Sequence, residues 1–164
     1  MAARPDDLYE HDFYAWTKQQ AGALRRLAET RPNAPVDWAH LIEEVADLGK
    51  SERDAVRGLL RRILVDLLKL QHSPAQAPQP GWIEMIGEAR AQLDDKLTPT
   101  LRADARRQLP RIFARARLQA SRELDAHGET EAAARLPETL PYTFDHVVGD
   151  WWPDRPAADA TSRP

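Results

Sequence analysis

Apolar residues recur along this chain every three to four positions, the spacing that gathers side chains on one face of an α-helix. Within residues 9–28, Tyr9, Phe13, Trp16, Leu24 and Leu27 fall within about 60° of one direction at roughly 100° per residue, which predicts a first amphipathic helix. Asp37 is a suitable N-cap for a second helix, whose stripe runs Leu41, Val45, Leu48, Ala55, Leu59, Ile63 and Leu70. Residues 37–72 would span about 54 Å as one helix at 1.5 Å per residue. Gly49 and the weak capping box Ser51 to Asp54 offer a break, whereas the unbroken phase of the stripe favours one bent helix. The sequence leaves both readings open.

A third helix is expected from about Gly81, with Trp82, Ile86, Ala89 and Leu93 on one side. A fourth covers about residues 99–127, opened by Pro99 and carrying Leu109, Ile112, Phe113, Ala116, Ala120 and Leu124, with Pro110 expected to kink or split it. TFDHVVGD suggests a short C-terminal helix. Clusters of proline at 31–37, 73–81, 97–99 and 136–141 separate these stretches. The expectation is an all-α fold: a helical bundle of about four main helices in a single domain over residues 1–153, then a disordered tail over 154–164.

One position breaks the apolar run LLRRILVDLLKL: Asp66, with leucines on every side. A buried lone carboxylate costs several kcal/mol, roughly, unless it is paired or hydrogen-bonded, so Asp66 requires a partner or a cavity. On a continuous second helix, Glu52 shares its face and Glu44 and Arg62 sit on the shoulder. Gln20 on the first helix, Arg90 on the third and a tryptophan indole complete the candidate core polar network. The alternative use of these carboxylates is as oxygen ligands of a metal in the core, or as an acid and base pair of a helical enzyme. None of the five histidines follows a glutamate by three residues, so neither a metal site nor a cofactor is expected.

Composition narrows the chemistry further. There is no cysteine, which removes disulfides, thiolate metal sites and a cysteine nucleophile and suits the cytoplasm. No segment reads as a signal peptide or a membrane span, since Asp66 interrupts the longest apolar stretch. The seven glycines are dispersed, and no phosphate loop, nucleophile elbow or zinc-protease motif occurs. No catalytic residue is expected.

Five blocks, YEHDFYAWTKQQ, DWAHLIEEVADLGKSER, LLRRILVDLLKLQ, GWIEMIGEAR and PYTFDHVVGDWWP, together resemble the bacterial family catalogued as domain of unknown function 29, over about residues 8–153. The resemblance implies a helical bundle and no activity. In that family the place of Asp66 is commonly a histidine, which keeps a polar role at the position and weakens any role that needs an imidazole.

Two surfaces could bind. Arg107, Arg111, Arg115 and Arg122 lie within about 40° of one direction on the fourth helix, a basic stripe that could follow phosphates or simply pair with neighbouring acids. The net charge of -3 argues neither for nor against a nucleic-acid partner, whereas the absence of interleaved aromatics argues against stacking on single strands, and nucleic acid is not the expected partner. Trp151 and Trp152 either cover the open end of the bundle or anchor a protein partner or a second copy. The resulting expectation is a cytoplasmic, non-catalytic interaction or accessory module.

Overall fold

Asp12 is where the expected first helix breaks. In the computed structural model, which describes residues 5–154, α1 covers Pro5–His11 and α2 covers Phe13–Thr30. Asp12 leaves the helical conformation and accepts a hydrogen bond from the Ala15 amide through Oδ1, 3.1 Å, capping α2. Five further helices follow: α3 (Trp38–His72), α4 (Gln79–Lys96), α5 (Pro99–Ala126), α6 (Thr130–Ala134) and α7 (Phe144–Val148). Among the described residues there is no strand, and the four long helices and the short one at the C-terminal end are those the sequence predicts. The expected tail lies, apart from Asp154, outside the described residues.

The helix α3 is continuous through Gly49, and α5 is continuous through Pro110. Gly49 is explained by packing and not by termination. A Cβ at this position would overlap the Oγ1 of Thr17 on α2 and crowd its Cβ, so the two helices approach at a point that only glycine permits. The end of α5 does use a glycine for its backbone. Gly128 has φ +78, the Glu129 amide donates to the Leu124 carbonyl at 2.9 Å, and the Gly128 amide donates to Asp125 at 3.0 Å, the paired bonds of a Schellman stop.

The described chain divides into two compact units, one of residues 5–56 with 96–105 and one of residues 57–95 with 106–154. The first is built on small side chains: Thr17 and Ala21 of α2, Gly49 and Val56 of α3, Leu101 and Ala105 of α5 are its buried positions, together with Asp12. The second oxygen of Asp12 accepts from the Thr100 amide, 2.9 Å, so one carboxylate serves the first turns of both α2 and α5. Tyr9, Phe13 and Trp16 form an aromatic knot, with Phe13 and Trp16 stacked at 5.5 Å and Tyr9 edge-on to both. The stripe expected along α3 is not a core here. Leu41 is 41% exposed and Leu48 51%, and Ala55 is also exposed, because the surrounding elements of this unit do not cover that face.

In the second unit the same helix is buried nearly all round. Leu60, Ile63, Leu64, Leu67, Leu68 and Leu70 are fully enclosed, each worth about 1.5–3 kcal/mol of transfer free energy. Ile86, Ala89 and Leu93 from α4, and Leu109, Phe113, Ala116 and Ala120 from α5, complete that core, on the faces read from their periodicity. The short α7 adds Phe144 and Val147 and starts with a capping box between Thr143 and His146.

Candidate functional site

Asp66 finds its partner three residues along its own helix. The Lys69 ammonium lies 2.7 Å from Asp66 Oδ1 and 2.8 Å from Glu123 Oε2 on α5, and it sits 5.3 Å from the centre of the Trp82 ring on α4. Lys69 therefore ties three helices of the second unit together. Sequence reasoning set Asp66 with Glu52, Glu44 and Arg62 of its own helix and with Gln20 and Arg90 of others, and passed over Asp66-x-x-Lys69, although that spacing places both groups on one helical face.

Burial pushes the Asp66 carboxyl above its ordinary value of 3.8, against the opposing pull of Lys69. Burial works the other way on Lys69, but its bonds to the two carboxylates prevail and hold the ammonium above 10.5. Burial alone would raise Glu123; the hydrogen bonds from Lys69 and Gln119 hold it below 4.5 instead. A lysine kept protonated in this way is neither nucleophile nor base near neutral pH. The arrangement is electrostatic, and it opens on a cleft of about 450 Å³ lined on one side by Arg61 and Arg62 and on another by Trp82 and Met85.

The other members of the expected network lie elsewhere. Arg90, 8% exposed, donates from Nε to the Val147 carbonyl at 3.0 Å and from Nη2 to the carbonyls of His146 and Trp151, both at 2.8 Å. It thus satisfies the C-terminal carbonyls of α7 and the segment beyond, and not Asp66. Burial lowers its pKa, and Asp150 opposes that. Glu52, in the first unit, pairs with Lys96 at 3.3 Å; Glu44 is exposed and Gln20 half-buried. Among the described residues no group of three or more His, Asp or Glu side chains could hold a metal ion, so Asp66, Glu44 and Glu52 do not form the ligand set considered for the metal alternative.

Trp151 stacks on His146, ring centres 4.4 Å apart, and packs against Tyr142 at 5.6 Å. Trp152 lies under the Arg90 guanidinium, 4.8 Å to the ring centre, and stays 38% exposed. The arginines Arg107, Arg111, Arg115 and Arg122 are all exposed on α5.

With the geometry in place, comparison with known proteins identifies the family. The model of the family described as "Domain of unknown function DUF29" matches residues 8–152. The chain belongs to the DUF29 family. Its structure is similar to the crystal structure of an α-helical protein of unknown function from Rhodospirillum rubrum, at 27% identity and a TM-score of 0.76, covering 87% of this chain and 89% of that one. No curated protein matches it. The DUF29 membership and this neighbour support the all-α fold and assign no specific activity. Among the described residues, no helix is long and apolar enough to cross a membrane.

Proposed function

We propose that this DUF29 protein is a non-catalytic helical interaction module that self-associates through the first half of α3. The observation that carries the reading is the seam of Leu41, Val45 and Leu48, open at both leucines and half-buried at Val45. These residues are spaced to lie on one face, and both leucines keep two fifths or more of their surface open. A seam of this kind on one helix is self-complementary under a two-fold axis. Trp152 is the second apolar surface available to such a module, and the packing of Trp151 on His146 would support it.

Sedimentation equilibrium tests the proposal. The wild-type chain is expected to dimerise at micromolar concentration, and the Leu41→Glu/Leu48→Glu variant to be monomeric with unchanged helical content by circular dichroism. A wild-type chain that stays monomeric throughout the concentration range would sink the self-association reading.

A further inference from the structure

The cleft beside Asp66 adjoins a second concavity of about 560 Å³ in the same unit, and the two share Arg61, Gln119 and Glu123. The joined groove takes Arg61 and Arg62 from α3 and Arg115 and Arg122 from α5. Its only acids, Asp66 and Glu123, are both bound to Lys69. The four guanidinium groups form no ion pair among the described residues; the polar contact seen is the soft one from Arg62 Nη2 to Met85 Sδ at 3.7 Å. Lys69 bonds both carboxylates while cancelling one of their two charges, and around the concavity five cations face two carboxylates, so an excess of positive charge remains.

Like charges gathered around a concavity raise a local positive potential that an incoming anion relieves. The planar guanidinium fork matches phosphate oxygens two at a time, which favours phosphate over a simple halide. The groove is larger than a single phosphate needs and lies in the size range of small-molecule sites, about 300–1,000 Å³. Its walls also carry apolar surface: Trp82 and Met85 on one side, and Leu118, 55% exposed, on the other. The overall charge of -3 does not favour a long polyanion, which would meet repulsion away from the groove.

We propose that this groove binds a compact organic polyphosphate, with Arg61, Arg62, Arg115 and Arg122 holding the phosphates and the Trp82, Met85 and Leu118 surface receiving the organic part. The site lies in a different unit from the α3 seam proposed for self-association, so the two readings stand or fall separately.

Isothermal titration calorimetry on the full chain decides it, with inorganic tripolyphosphate, ATP and a single-stranded oligonucleotide as probes. Tripolyphosphate is expected to bind, with affinity that falls as salt is raised, and ATP to bind more tightly because it adds contact with the apolar wall. The Arg61→Ala/Arg115→Ala variant should weaken both by about tenfold or more, as expected when charge-assisted phosphate contacts are lost. Arg111→Ala, outside the groove on the same helix, should leave them unchanged. No binding of either polyphosphate, or binding insensitive to the double substitution, overturns the proposal. So does an oligonucleotide that binds more tightly than ATP with the same arginine dependence, which would make the groove a nucleic-acid site.

Discussion

Two glycines on α3 test the packing account against each other. Gly49 and Gly58 lie nine positions apart on one helix, and a Gly→Ala exchange gains about 1 kcal/mol of helix propensity at either. Their surroundings differ. At Gly58 an added methyl group meets nothing within 4 Å, so that gain should appear undiminished. At Gly49 the methyl group runs into the Oγ1 and Cβ of Thr17, a fully buried residue whose hydroxyl already donates to the Tyr14 carbonyl at 2.8 Å. Relief requires α2 and α3 to move apart, placing the strain near the upper end of the roughly 1–3 kcal/mol that overpacking costs. Propensity is common to both changes, so the gap between the variants isolates the steric contribution at about 3 kcal/mol. In a chain of this length that is a difference in melting temperature of roughly 6–12 °C. Thermal unfolding followed by circular dichroism should show Gly58→Ala above the wild type and Gly49→Ala below it. Replacing Thr17 with Ala removes the overlapping oxygen, so Gly49→Ala should be markedly less harmful in that background, with a coupling of about 1 kcal/mol or more. A Gly49→Ala protein as stable as Gly58→Ala would refute the close approach of the two helices.

Three further outcomes follow from the charged groups. Asp12→Ala leaves the Ala15 and Thr100 amides without an acceptor and should cost about 2–3 kcal/mol in chemical denaturation, whereas Asp12→Asn, which keeps one acceptor oxygen, should cost about half as much; equal losses would count against the double cap. Lys69→Met strands Asp66 in its enclosed position, and a loss of about 3 kcal/mol is expected at neutral pH, shrinking as the pH falls and Asp66 takes up a proton; a loss independent of pH would argue against an uncompensated carboxylate. In the wild type, carbon-detected NMR titration should place Asp66 above 3.8 and Glu123 below 4.5. The signs carry over to stability. Glu123 contributes stability above its unfolded pKa that is lost as pH falls through its lowered folded value, the raised Asp66 gives back part of that loss over the window above 3.8, and Lys69 contributes stability that disappears only as pH rises through a folded value above 10.5.

The helices were legible because their apolar faces keep one period, and α4, α5 and α7 lie close to where that period puts them. Their punctuation was less legible, because one residue type has several uses. Gly49 reads as a stop and is a packing contact; Gly128 is the glycine that ends a helix by its backbone conformation. Asp12 falls inside a continuous amphipathic pattern, and nothing in residues 9–28 shows that its second oxygen will meet Thr100, a residue distant in the sequence. The sequence offers Arg90 as a donor to Asp66, which it does not meet. Its carbonyl acceptors at His146, Val147 and Trp151 have no side-chain signature, since any residue presents the same backbone oxygen.

Asp66 shows where such reasoning stops short and what structure adds. An acid among leucines requires a partner by its desolvation cost alone, and that requirement was visible in LLRRILVDLLKL. The nearest cation on the same face, Lys69, meets it first, because a flexible four-carbon stem can lie along apolar surface while its ammonium reaches a carboxylate three residues back. What the sequence could not show is that Glu123 would complete the set from α5, since that depends on how the helices of the unit align. One cation between two carboxylates leaves both acids hydrogen-bonded and the cations around them in excess. The pairing that settles why Asp66 is tolerated is thus also the one that leaves the groove positively charged, and Lys69→Met should disturb both stability and polyphosphate binding where Arg61→Ala/Arg115→Ala disturbs binding alone.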